Sequence, residues 1–96
     1  MMPTYRDGNY TGPVVDVYYG DVQVQATITN GELADVKVIK YPNDRRTSLY
    51  IAKQSLPVLI SEAIQSQTAS VNGVSGATQT SRGFRNSLAG ALEQAQ

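Results

Sequence analysis

Hydrophobic and polar residues alternate strictly between residues 22 and 29. The apolar positions are Val22, Val24, Ala26 and Ile28, and each is followed by glutamine or threonine. A period of two is typical of a β-strand with one face in the core and the other in water. Comparable runs lie on either side, so the pattern predicts three strands, at residues 14–19, 22–29 and 33–40.

The connections between these strands are short. Gly20-Asp21 and Asn30-Gly31 are both typical of hairpin turns, and Asn30-Gly31 suits the positive φ angles of a type I′ turn. The three strands are therefore expected to form an antiparallel meander. Residues 69–74 are a possible fourth strand.

The period of the pattern changes after residue 47. Apolar residues then recur every three or four positions, as on one face of a helix. They are Leu56, Leu59, Ile60, Ala63 and Ile64, with Gln67 next on the same face. Ser55 is the predicted N-cap of this helix, because Pro57 is tolerated in a first helical turn. Residues 48–54 are then a separate helical turn or a kinked lead-in.

A second helix is predicted at the end of the chain. Its N-cap is expected at Thr80 or Ser81, and its apolar face consists of Phe84, Leu88, Ala91, Leu92 and Ala95. The expected fold class is α+β: a small antiparallel meander sheet of three to four strands, followed by two helices packed on one side. The length of 96 residues suits one domain, so residues 1–96 are expected to form a single unit.

Composition excludes several classes of function. The formal net charge is zero and the only basic cluster lies at residues 40–46, so no nucleic-acid partner is expected. The chain has neither cysteine nor histidine, which removes thiolate and imidazole chemistry and the usual zinc sites. Redox chemistry would need an organic cofactor. No apolar run approaches the roughly 20 residues of a membrane span, so we expect a soluble chain without membrane contact of its own and without a metal site.

The segment from Val71 to Ser81 reads V-N-G-V-S-G-A-T-Q-T-S. It combines small residues and hydroxyl groups immediately before a predicted helix, whose free N–H groups favour an anion such as phosphate. The residues alone nevertheless favour a plain tight turn with a helix cap, because the lysine of a P-loop and the three glycines of a dinucleotide fingerprint are both missing.

The same segment resembles the flavinylation motif of the FMN-binding domain family, which includes subunits of sodium-pumping NADH:quinone reductases and of Rnf-type complexes. In that family the threonine of a Ser-Gly-Ala-Thr core is joined to the phosphate of FMN. The resemblance extends over nearly the whole chain, through Asp7-Gly8-Asn9-Tyr10-Thr11-Gly12 and Leu56-Pro57.

The resemblance implies FMN as the cofactor and Thr78 as its attachment point through a phosphoester. The other residues that it assigns to the flavin are Ser75, Gly76 and Ala77 in the loop and Thr80 and Ser81 at the phosphate end. It also implies an electron-carrying domain rather than a stand-alone catalyst. The expected partners are a flavin transferase and electron donor and acceptor proteins, at the extracytoplasmic face of the cytoplasmic membrane.

One position departs from the family pattern. Asn72 stands where the family usually has aspartate, an acid that the flavin transferase is expected to recognise. Reversible binding of FMN, or of another phosphate-bearing ligand, by a sensor domain is therefore an alternative to covalent attachment. A third alternative is a domain that has lost its flavin and serves in assembly. Candidate apolar platforms for the flavin ring are Tyr41, Leu56, Leu59 and the six tyrosines in general, although any single one of them is more often a plain core residue.

Overall fold

The computed structural model describes residues 5–17, 20–42, 46–73 and 77–96, with the backbone alone for residues 47 and 48. These residues form the strands β1 (Gly8–Thr11), β2 (Val15–Val17), β3 (Gly20–Thr29) and β4 (Glu32–Lys40) and the helices α1 (Arg46–Ser66) and α2 (Thr78–Gln94). The predicted α+β class, an antiparallel sheet followed by two helices, is confirmed.

Strand β3 is the centre of the antiparallel sheet. β4 pairs along one side of it, and β1 and β2 share the other side end to end, β2 opposite residues 20–22 and β1 opposite residues 25–28. The meander β2–β3–β4 agrees with the prediction. Of the first predicted strand, residues 15–17 form β2, while residues 18 and 19 lie outside the described residues. The turn predicted at Gly20-Asp21 is wrong, because both residues already belong to β3 and pair with Val17 and Asp16.

The fourth strand is β1 and not the predicted segment 69–74. Of that segment, residues 69–73 are described and form no strand. Strand β1 is mostly polar and has no alternation of its own, so only its pairing with β3 makes it a strand. Side chains reinforce that pairing on the wet face: Thr27 Oγ1 donates to Asn9 Oδ1 at 2.9 Å, and Gln25 Nε2 donates to Thr11 Oγ1 at 3.1 Å.

The turn between β3 and β4 is the predicted one. Asn30 and Gly31 have φ angles of 55° and 77°, and the residues that flank them are paired. Positive φ at both central positions defines a type I′ turn. The Asp7 carboxylate accepts hydrogen bonds from both N–H groups of the turn, at 3.1 and 2.9 Å, and so ties the start of the chain to this hairpin.

Helix α1 is longer than predicted and continues through Pro57. Ser55 is not its cap, because Ser55 is a buried interior residue whose Oγ donates to the Ile51 carbonyl at 2.7 Å. The proline ring lies on the exposed side of the helix. The buried face continues past it at helical spacing, through Ala52, Leu56, Leu59 and Ala63. Burial of that face on both sides of the proline outweighs the hydrogen bond that proline cannot make.

The core lies between one face of the sheet and the two helices. The alternating apolar residues of β3 are at most 3% exposed, and the predicted apolar face of α2 is buried against them. Helix α2 lies very close to the sheet at Gly83, where a Cβ atom would come within 2.8–2.9 Å of the side chains of Val22 and Val17. Among the described residues, neither helix combines the length and hydropathy that a membrane span needs.

Candidate functional site

The predicted site lies where the chain enters α2. Asn72, Ala77, Thr78, Thr80 and Ser81 are among the described residues, whereas the predicted loop residues Ser75 and Gly76 lie outside them. The described part of the site consists of the segment that ends at residue 73 and the first turns of α2.

Helix α2 begins at Thr78, two residues earlier than predicted. Ala77 precedes it as N-cap residue and carries no side-chain oxygen, and among the described residues no side-chain hydrogen bond caps the helix. The cap expected at Thr80 or Ser81 is wrong, because both residues lie inside the first turn. That turn contains no acidic residue. An uncapped helix start without acids leaves N–H groups and the positive end of the helix dipole for an external anion.

The hydroxyl residues of this turn point in two directions. Thr78 is exposed, whereas Thr80 and Ser81 are only 5% and 1% exposed. Ser81 packs against the preceding segment: its Cβ and Oγ lie 3.6 Å from the point that a Cβ atom on Gly73 would occupy. The structure thus brings Ser81 and Gly73 together and leaves the Thr78 side chain accessible to solvent.

Asn72 is held in place by helix α1. Its backbone N–H donates to the Glu62 carboxylate at 3.0 Å, and the residue itself is exposed. A cleft of about 350 Å³ opens between α1 and this segment. It is lined by Glu62, Gln65, Ser66, Ser70, Val71 and Asn72. Glu62 therefore puts a carboxylate beside the position at which the sequence has an amide.

A second concave surface lies between the end of β4 and the first half of α1. This groove of about 320 Å³ is almost wholly apolar. Its lining consists of Val38, Tyr41, Ala52, Lys53, Leu56, Pro57 and Ile60. Two of the candidate platform residues, Tyr41 and Leu56, line it, whereas Leu59 is fully buried in the core.

The groove and the start of α2 lie at the same end of the sheet. Pro42, next to Tyr41, packs against Gly20 at the start of β3, since a Cβ atom on Gly20 would lie 3.3 Å from its Cα. Gly83, in the second turn of α2, packs on Val22 of the same strand end. An apolar surface and an anion-favouring helix start are the two features that a flavin nucleotide requires, one for its ring and one for its phosphate.

A family model, that of the FMN-binding domain, matches residues 18–93 of the chain. The chain belongs to the FMN-binding domain family. The resemblance seen in the sequence and the expectation of FMN as cofactor are thereby confirmed.

The fold of this FMN-binding domain also occurs in a solved structure. The crystal structure of the CPE2226 protein from Clostridium perfringens is similar to it, with a TM-score of 0.71 and 18% sequence identity, over 95% of this chain and 88% of that chain. At this identity the similarity concerns the fold alone. No curated protein matches the chain with significance.

Two residues of the FMN-binding domain that contact the site segment were not predicted. Glu62 lies ten residues before Asn72, and no spacing rule connects a helix residue with a segment that folds back on it. Arg85 packs on Gly73, with its Nη1 atom 3.5 Å from the point that a Cβ atom there would occupy. A signal for Arg85 does exist in the sequence, since it follows Thr78 by seven residues and so shares its helix face.

Proposed function

We propose that this domain is an electron carrier whose FMN is attached through its phosphate to Thr78. The observation that carries the proposal is the placement of Thr78: it is an exposed threonine at the first position of a helix that lacks both a side-chain cap and an acid in its first turn. A phosphate bound at this hydroxyl lies beside free N–H groups and the positive end of the helix dipole.

The attachment needs an activated flavin and a second protein. In the proposed reaction the Thr78 hydroxyl oxygen attacks the FMN phosphorus of FAD, the phosphoanhydride bond breaks, AMP leaves and the hydroxyl proton is lost. No electrons are gained or lost in this step. A flavin transferase that holds FAD and a metal ion supplies the activation, and the exposure of Thr78 supports access by such an enzyme.

The ring is proposed to occupy the apolar groove between β4 and α1. Tyr41 and Leu56 supply apolar surface there, and the groove lies at the same end of the sheet as the start of α2. When bound, FMN supplies the chemistry of accepting and releasing electrons, while the protein holds it in position. Because the groove is open at the surface, the edge of the ring stays accessible to electron donor and acceptor proteins. We propose that the domain and these partners lie on the extracytoplasmic face of the cytoplasmic membrane.

The test is the intact mass of the denatured protein after co-expression with a flavin transferase. We expect an increase equal to FMN less one water. Thr78→Val, which keeps the shape and removes the hydroxyl, should abolish the increase, and Thr78→Ser should retain part of it. An unshifted mass in wild type, with all yellow colour lost on denaturation, would exclude covalent attachment.

A second candidate function is reversible FMN binding by a sensor domain. The exposed amide of Asn72 favours it, because the transferase is expected to recognise an acid at this position. Asn72→Asp separates the two candidates. If covalent loading rises from a trace to near completion in this variant, the wild-type domain is a reversible binder. Equal loading of wild type and variant supports the carrier, with the acid supplied from elsewhere, and Glu62 is a neighbour able to do so.

A further inference from the structure

Arg85 is a half-buried cation that lies against the site segment. Its Nη1 atom is 3.5 Å from the point that a Cβ atom on Gly73 would occupy, and Ser81 approaches the same point at 3.6 Å. Ser81 precedes Arg85 by one helical turn. The guanidinium has therefore extended back toward the start of α2, the direction in which helix side chains ordinarily lean.

The guanidinium is unpaired within the part of the chain that the structure describes. No hydrogen bond and no ion pair engages it there. Two other arginines make hydrogen bonds: Arg6 donates to the Gln94 carbonyl at 2.8 Å, and Arg82 donates to Gln79 Oε1 at 3.0 Å. Arg46 makes none among the described residues, but it is exposed to water. Glu62, an acid that contacts the same segment, accepts the hydrogen bond of the Asn72 N–H. Among the described residues no buried side-chain nitrogen lacks a partner, so the unpaired nitrogens of Arg85 reach the surface, where an anion can approach them.

The geometry points to Arg85 as the residue that pairs with the phosphate of FMN. Thr78 and Arg85 are seven residues apart, close to two full turns, so they share one face of α2. A phosphate at the start of the helix lies in the direction in which the guanidinium extends. The planar guanidinium donates two parallel hydrogen bonds to phosphate oxygens, which an ammonium group cannot do. Arg85 is thus the residue that makes the domain prefer FMN over riboflavin, an inference that rests on FMN binding as proposed above.

The experiment compares FMN and riboflavin titrations of protein made without a flavin transferase, followed by flavin fluorescence. For Arg85→Gln we expect the affinity for FMN to fall about tenfold, because a charged hydrogen bond is lost. The affinity for riboflavin, which has no phosphate, should not change. Arg85→Lys should keep part of the preference for FMN. Arg82→Gln is the matched control: it removes an equal charge one residue from the first helical turn, and it should change neither affinity by more than about twofold.

The outcomes separate this inference from the proposed function. If wild type binds FMN tightly and Arg85→Gln binds it equally well, Arg85 is not the phosphate partner. If Arg85→Gln loses FMN and riboflavin to the same extent, its role is structural and the inference is likewise overturned, and a thermal unfolding curve of each variant identifies a folding defect. If wild type binds neither flavin, the inference and the reversible-binding candidate both fail, whereas covalent attachment at Thr78 is judged separately by the intact mass. A preference for FMN that falls with rising salt in wild type and not in Arg85→Gln supports the ion pair.

Discussion

Replacing Ser87 by alanine tests how helix α2 is joined to the sheet. Ser87 is fully buried; its Oγ accepts from the Val24 N–H at 3.0 Å and donates to the Pro13 carbonyl at 2.7 Å. Val24 lies opposite the break between β1 and β2. The Val24 carbonyl accepts from the Gly12 N–H at 2.9 Å. The Val24 N–H points to the same side, where neither β1 nor β2 offers it an acceptor, and it donates to Ser87 Oγ instead. A helix side chain therefore completes the hydrogen bonding of the central strand.

Alanine at this position leaves two groups without partners, the buried Val24 N–H and the part-buried Pro13 carbonyl. The buried N–H costs about 1–3 kcal/mol, the part-buried carbonyl costs about 1 kcal/mol, and the higher helix propensity of alanine returns about 0.5 kcal/mol. We expect the free energy of unfolding to fall by about 2–3 kcal/mol. The total free energy of unfolding of a domain of this size is about 5–14 kcal/mol. A loss of this size should lower the midpoint of thermal unfolding by about 10–20 °C.

The assay is urea unfolding of Ser87→Ala followed by circular dichroism. The midpoint should move to lower urea while the slope m stays the same, since the surface exposed on unfolding does not change. Ser61→Ala is the matched control, a serine-to-alanine change at an exposed position of α1, and it should alter stability by less than about 0.5 kcal/mol. A loss below about 0.5 kcal/mol for Ser87→Ala would refute the role assigned to its hydroxyl.

Two further changes test the packing of the helices. Gly83→Ala puts a methyl group within 2.8–2.9 Å of Val22 and Val17. We expect the free energy of unfolding to fall by about 1–3 kcal/mol, although alanine has the better helix propensity. An unchanged or raised midpoint of thermal unfolding would contradict this. Gln67→Ala removes an amide that accepts from the Leu33 N–H at 2.7 Å and donates to the Leu33 carbonyl at 3.0 Å. It should lower stability by about 1–2 kcal/mol and speed amide exchange at Leu33, and exchange as slow as in wild type would speak against it.

The parts of the fold that the sequence predicted are those set by local pattern. The alternation in β3, the Asn30-Gly31 turn and the apolar face of α2 are each encoded within a few neighbouring residues. Strand β1 is not, because its polar residues become a strand only through pairing with residues 25–28, far along the chain. The start of α1 was predicted too late because a proline inside a helix is unusual. The helix accommodates Pro57 because its apolar face is buried on both sides of that residue.

The site divides in the same way. The small residues before α2 and the exposed hydroxyl of Thr78 follow from the local sequence. The cap predicted at Thr80 or Ser81 failed because both side chains turn inward, one of them against Gly73. The contact between Glu62 and Asn72 depends on the path of the chain back along α1, which no local pattern reports.

Helix α2 carries its packing residues and the proposed binding residues on opposite faces. With about 100° of rotation per residue, Gly83 and Ser87 fall on one side of the helix, and Thr78 and Arg85 on the other. The first pair fixes the helix on the sheet at very short range, through the fit of Gly83 on β3 and the two hydrogen bonds of Ser87. The start of the helix is therefore already ordered before a ligand arrives. If phosphate binds there as proposed, it need not order the backbone groups that hold it, so we expect tight packing on the sheet-facing side of α2 to raise the affinity on the opposite side.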